Sequence, residues 1–101
     1  MKIKAKFCKN PFGLMFRRLK KGDSIVLTCI DGSIFSAAIH MLFVFYPLDI
    51  VWLDKDHIVV DKKTVKPFTL FAYPKRPAKY IVEMRKGFSK DIKIGDKIEF
   101  I

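Results

Sequence analysis

The chain is 101 residues long and carries a net charge of +10, with half of its residues apolar. That length makes a single domain, residues 1–101, with interior enough for a core that needs no metal or disulfide staple. The apolar content excludes a disordered chain, and the unbalanced excess of lysine favours anionic partners over neutral or basic ones.

Residues 2–7 alternate lysine with Ile3, Ala5 and Phe7, the period-two pattern of a strand with one wet face. Asn10-Pro11 breaks it. Phe12, Met15, Phe16 and Leu19 then recur at helical spacing, which predicts a short helix or turn over 12–19, with Asn10 and Pro11 suited to its start. Gly22-Asp23 ends that element. Residues 24–30 are β-rich, Asp31-Gly32 predicts a two-residue hairpin turn, and 33–39 return as the partner strand.

The most apolar segment is 39–54, split by Pro47 and Asp49. Residues 41–46 read as a strand buried on both faces, and 48–53 as the next strand after the proline stops pairing. Asp54-Lys55-Asp56 turns the chain into a partner strand at 57–60. Residues 62–77 hold Pro67, Pro74 and Pro77 with Phe68, Phe71 and Tyr73 between them, which predicts a long ordered loop packed by its own rings. Residues 79–84 form another strand, 87–93 a connection, Gly95-Asp96 a turn, and 97–101 a terminal strand. About eight short strands in so small a domain favour a mainly β fold. The expected architecture is a small closed or half-open barrel of mostly antiparallel strands with one short helix, because closure removes open edges.

Glutamate occurs only at Glu83 and Glu99, glutamine is absent, and Asn10 is the one asparagine. Few amides beside abundant Lys and Ile point to a thermophile, but heat adaptation raises Glu together with Lys and so does not account for the imbalance. Cys8 and Cys29 stand alone, without the Cys-x-x-Cys spacing of a zinc site, and read as reduced buried thiols. The first residues hold no apolar export core, and the longest uncharged stretch, 32–48, falls short of a membrane span. A cytoplasmic protein with no membrane span is expected.

Glycine-rich nucleotide loops, zinc-protease motifs and nucleophile elbows are all missing, so no cofactor and no catalytic residue are assigned. Asp54, Asp56 and Asp61 lack the glycine and the closing glutamate of a calcium loop and read as a charged turn. Arg17, Arg18, Lys20 and Lys21 form the densest cationic cluster, which with Lys2, Lys4 and Lys6 suits contact with phosphates. His40 lies in the apolar run and is either a hydrogen-bonded core residue or a general base. His57 reads as an exposed residue with no role. Asp49, set in an apolar strand, needs a partner, and Arg17 is the expected one.

Four ordered segments carry a resemblance to a known family. Gly13-Leu14-Met15-Phe16-Arg17 resembles the Gly-Leu-Met-x-Arg motif of the domain-of-unknown-function 192 family. His40-Met41, five intervening residues, and Pro47-Leu48-Asp49 resemble its second motif, although Leu42-Phe43-Val44 replaces the usual Lys-Asn-Thr and His40 the usual tryptophan. Residues 80–84 followed by Gly87 resemble its Leu-Glu-x-x-x-Gly motif, and Gly95-Asp96-Lys97-Ile98 its closing Gly-Asp-x-Val. The chain thus resembles an archaeal-type short member of that conserved, uncharacterised family. The resemblance implies a small, mainly β domain and no particular activity.

The expected function is a binding module for an anionic ligand or nucleic acid, using Arg17, Arg18, Lys20, Lys21, His40 and Asp49 and an aromatic-lined pocket. An interaction or oligomerising protein is the alternative. An enzyme on a small anionic substrate, built from Arg17, His40 and Asp49, is the third reading. Neither the ligand nor the oligomeric state is legible in the residues.

Overall fold

Strand pairing around the apolar segment Leu48–Leu53 organises the molecule. A computed structural model of the chain describes residues 2–7, 24–28, 47–67 and 74–101. In chain order the strands are β1 (Lys2–Ile3), β2 (Lys6–Phe7), β3 (Ser24–Thr28), β4 (Leu48–Leu53), β5 (Val59–Val65), β6 (Tyr80–Arg85) and β7 (Glu99–Phe100). Five of them form one sheet in the order β2-β3-β6-β4-β5, and β1 pairs with β7 separately. The pairs β3–β6, β6–β4 and β4–β5 are antiparallel, whereas β2 runs parallel to β3 and β1 parallel to β7. No helix occurs among the described residues.

Every residue of β4 is buried, because the strand is paired on both edges and covered on both faces. Leu48, Ile50 and Trp52 pack with Val65, Ala78 and Ile81 on one side. Val51 and Leu53 pack with Val26, Val59, Val82, Met84, Ile92 and Ile98 on the other. Each fully buried large side chain here contributes on the order of 1.5–3 kcal/mol, so the double-sided core dominates stability. This is why an almost continuous apolar run, rather than an alternating one, encodes β4.

The β4–β5 hairpin turns on Asp54. Its Oδ1 accepts the Asp56 N–H at 2.8 Å and the Ile58 N–H at 3.0 Å, and its carbonyl accepts the His57 N–H at 3.0 Å. His57 takes up the turn with a φ of 65°. The second turn, at Gly95-Asp96, locks onto the same region. Val59 donates to Asp96 O and Gly95 donates to Val59 O, both at 2.8 Å.

The expected strands at 48–53 and 79–84 coincide with β4 and β6, and β3 falls within the expected 24–30. Three expectations need correction. Residues 2–7 are not one strand but two, β1 and β2, which enter different pairings. Residues 62–65 belong to β5 and not to a loop. Two adjacent lysines hid that strand, which is at an edge among the described residues, where both faces can carry charge. His57 is half-buried, with its ring edge-on to Tyr80 at 4.8 Å, beside Phe100 at 5.1 Å, and its Nδ1 at 3.1 Å from Ile98 O. Among the described residues the sheet is open, with β2 and β5 at its edges and no pairing that joins them into a barrel. The expected helix over 12–19, the Asp31-Gly32 hairpin, the strands at 33–39 and 41–46, and the rings Phe68, Phe71 and Tyr73 lie outside the described residues.

Candidate functional site

Asp49 is an acid inside an apolar strand, and it is only 3% exposed. In the β-ladder it stands opposite Thr64 of β5 and Met84 of β6, on the face that carries Val51 and Leu53. A buried carboxylate needs donors, and four converge on it. Thr64 Oγ1 donates to Oδ1 at 2.7 Å. Oδ2 accepts the Ser89 hydroxyl at 2.6 Å, the Ser89 N–H at 3.1 Å and the Gly87 N–H at 3.0 Å. Burial alone would raise the Asp49 pKa. The hydrogen bonds from the Ser89 and Thr64 side chains and from the backbone N–H groups of Ser89 and Gly87 outweigh it and hold the pKa below the usual value of 3.8.

These bonds clamp the segment that follows β6. The chain leaves Arg85, turns through residues 86–91 and returns to the core at the buried Ile92. Gly87 adopts a φ of 96°, a conformation that an L side chain strains to reach. A Cβ at Gly87 would meet nothing within 4 Å, so the glycine answers a backbone requirement and not a shortage of space. The Lys86 N–H reaches Pro47 O at 3.3 Å, the Phe88 N–H reaches Arg85 O at 3.2 Å, and the Ile92 N–H reaches Ser89 O at 2.9 Å. The segment is therefore fixed at several successive points.

Between β5 and this segment lies a cleft of about 350 Å³. It is lined by the buried Asp49 and Ser89, by Thr64 and Gly87, and by Lys62, Lys63, Lys86 and Lys90. Lys62 Nζ donates to Ser89 O at 3.0 Å, which ties β5 to the segment. Lys63 Nζ lies 5.8 Å from the centre of the Trp52 ring. Lys86 and Lys90 are exposed. The side chains of Lys62, Lys86 and Lys90 against one carboxylate make the cleft electropositive, whereas Lys63 points to the Trp52 face; the carboxylate already has its lone pairs engaged. The arrangement suits an anion. It does not suit proton abstraction by Asp49.

A second buried acid, Glu83 on β6, lies on the opposite face, since it pairs with Ile50 and Ile25. Burial pushes its carboxyl up to about 7. Its Oε2 has no hydrogen-bond partner among the described residues. With the sheet between them, Glu83 and Asp49 cannot act on one substrate as an acid–base pair. Elsewhere, Asp61 accepts the Lys62 N–H at 2.8 Å and the Lys75 N–H at 2.9 Å, which pins the chain beyond Pro74 to β5. No group of three or more His, Cys, Asp and Glu side chains fit to hold a metal ion occurs among the described residues.

Of the residues singled out from the sequence, Asp49 is in the cleft, while Arg17, Arg18, Lys20, Lys21 and His40 lie outside the described residues. The described partners of Asp49 are hydroxyls and backbone N–H groups. Thr64, Ser89 and the four cleft lysines were not singled out. The one local signal for them is Lys86-Gly87-Phe88-Ser89-Lys90, in which a motif glycine sits between two lysines.

The fold and cleft define a small, mainly β domain with a cationic cleft built over a neutral-donor cradle for one aspartate. The chain belongs to the DUF192 family, described as "Uncharacterized ACR", whose model matches residues 1–100. It is 34% identical over 103 residues to a UPF0127 protein of Pyrococcus abyssi, covering 100% of this chain and 86% of that protein. It is 36% identical over 96 residues to a UPF0127 protein of Pyrococcus furiosus, covering 93% and 80% respectively. These relatives agree with the archaeal-type reading of the four motifs. A crystal structure of a protein of unknown function from Novosphingobium aromaticivorans superposes with a TM-score of 0.79 at 23% identity, covering 92% of this chain and 70% of that one. At that identity the likeness is one of fold. No helix among the described residues is long and apolar enough to cross a membrane.

Proposed function

We propose that the domain is a binding module for an anionic ligand, which it holds in the cleft between β5 and residues 86–91. One observation carries this reading. Lys62 from β5 and Lys86 and Lys90 from another segment, more than twenty residues away, line the same cleft. Cations spread at random over a basic protein have no reason to gather around one concavity, and a cleft lined by one sign of charge concentrates the opposite ion. The clamp on Asp49 supports the reading further. It holds residues 86–91 in place before any ligand arrives, so little ordering cost falls on binding. Arg17, Arg18, Lys20 and Lys21 stay candidate contacts for the anion in the same reading.

Titration with inorganic tripolyphosphate tests it. Binding is expected, weakening as salt rises from about 50 to 200 mM, because captured anions displace counterions. The double variant Lys62→Ala, Lys90→Ala is expected to lose most of that affinity. Lys55→Ala, in the exposed β4–β5 turn, is expected to keep it. Equal effects of the two changes, or no binding at low salt, overturn the reading.

A further inference from the structure

Phe88 is the residue the anion-binding reading leaves over. It stands between Lys86 and Lys90 and is 49% exposed. A ring held half in water is open to contact from outside the molecule. Its exposure does not come from a loose chain. The residues on either side of it, Gly87 and Ser89, are both bound to Asp49 Oδ2, and its own N–H is bound to Arg85 O. The backbone presents the ring outward as a fixed element.

Its position relative to the cleft gives that exposure a chemical meaning. Gly87 and Ser89 line the cleft, so the Phe88 backbone lies one residue, about 3.8 Å, from two cleft-lining positions. A planar ring beside a cationic cleft matches what an unpaired nucleotide offers, a phosphate and, one sugar away, a bare aromatic face. The cleft volume, about 350 Å³, lies at the small-ligand end of binding sites and is of a size for one nucleotide unit. A duplex keeps its base faces stacked inside and offers the ring nothing, whereas single strands expose them. A lipid surface asks for several apolar side chains together. The other exposed large apolar residues among those described are Ile94 and Ile101. Ile94 belongs to the turn bonded to Val59, at the far end of β5 from Thr64, roughly 17 Å along the strand.

We infer that the domain binds single-stranded nucleic acid, with a backbone phosphate in the lysine cleft and the adjoining base stacked on Phe88. The inference rests on the anion-binding reading and names its ligand class. The ring is sequence-tolerant as a stacking platform, so little preference among bases is expected.

Fluorescence anisotropy of the intact protein with a labelled eight-nucleotide poly-dT strand tests it, with polyphosphate of equal phosphate number as competitor. The strand is expected to bind at least tenfold more tightly than the polyphosphate. Phe88→Ala is expected to remove that margin and leave polyphosphate affinity unchanged, because stacking on one ring is worth roughly tenfold or more. Phe88→Trp is expected to keep the margin, and Phe88→Leu, apolar but without a π face, to lose it. An unchanged margin in Phe88→Ala, or none in the parent protein, overturns the inference and spares the anion reading. Failure to bind either polyanion overturns both. Binding to phosphatidylserine vesicles that Phe88→Leu preserves, with no oligonucleotide binding, overturns the inference in favour of a membrane surface.

Discussion

Asp49 and Ser89 stand 40 residues apart in the chain and are joined by a 2.6 Å hydrogen bond between carboxylate and hydroxyl. Through it the central strand of the sheet holds the segment that walls the cleft. With the two N–H bonds to the same oxygen, the contact ties residues 87 and 89 to one acid.

Asp49→Ala and Asp49→Asn should separate the loss of acceptors from the loss of charge. The alanine variant takes the acceptor from two backbone N–H groups and two hydroxyls, and is expected to cost about 3 kcal/mol or more. The asparagine variant keeps one acceptor oxygen for the loop and turns its amide toward Thr64, whose hydroxyl can accept. It is expected to cost about 1–2 kcal/mol. Chemical denaturation followed by Trp52, the sole tryptophan and fully buried, reads both. Equal costs would mean that the loop does not depend on these bonds.

The same acid sets a low-pH limit. Its pKa is depressed in the folded state below 3.8, so its contribution to stability is fully present above that value. It is lost as pH falls through the folded-state pKa. The stability gap between the parent and Asp49→Asn should therefore be constant near neutrality and close only as pH falls below 3.8. A gap that closes near pH 6 would show that another group is titrating.

Glu83 works in the opposite sense. Its pKa rises from 4.5 to about 7 on folding, so the folded state holds a proton that the unfolded state has released between those values. Stability should fall by about 3 kcal/mol as pH rises from 4.5 to 7, and then level off. Glu83→Gln carries no titrating proton and should be flat through that window, close to the parent at pH 4 and more stable at pH 8. For a domain of this size the difference amounts to roughly 10 °C or more in melting temperature. Parallel pH profiles for parent and variant would refute the assignment.

Gly87→Ala tests the loop without touching any charge. The added methyl meets open space, so the cost comes from a φ of 96° alone. It is expected to be about 1–3 kcal/mol. If the chain relaxes instead by leaving that conformation, the Gly87 N–H moves off Asp49, and tripolyphosphate affinity should fall although every lysine is intact. Unaltered affinity with unaltered stability would show that the loop geometry is not needed.

Several elements were legible for reasons that stay local. An apolar run broken at Pro47 marked β4, and residues 79–84 marked β6, because strands covered on both faces tolerate few polar residues. Asp49 was legible as an anomaly in that run. Its partners were not. Arg17, the partner expected from opposite charge, lies outside the described residues, and the described donors are the uncharged Thr64, Gly87 and Ser89, brought there by pairing register and chain return. The second half of β5 was missed because Lys62 and Lys63 spoil the alternation that an interior strand would show. An edge strand is under no such constraint.

Chain chemistry alone determined that this protein would be basic and mainly β, that residues 48–53 would be buried, and that an acid among them would need donors. Those outcomes follow from transfer free energies and backbone geometry, which act residue by residue. Which donors Asp49 obtained, which of the many lysines met across a cleft, and that Phe88 was left outside it were decided only by tertiary structure. Register and chain return depend on pairings between residues 15 to 40 positions apart, and composition does not record them.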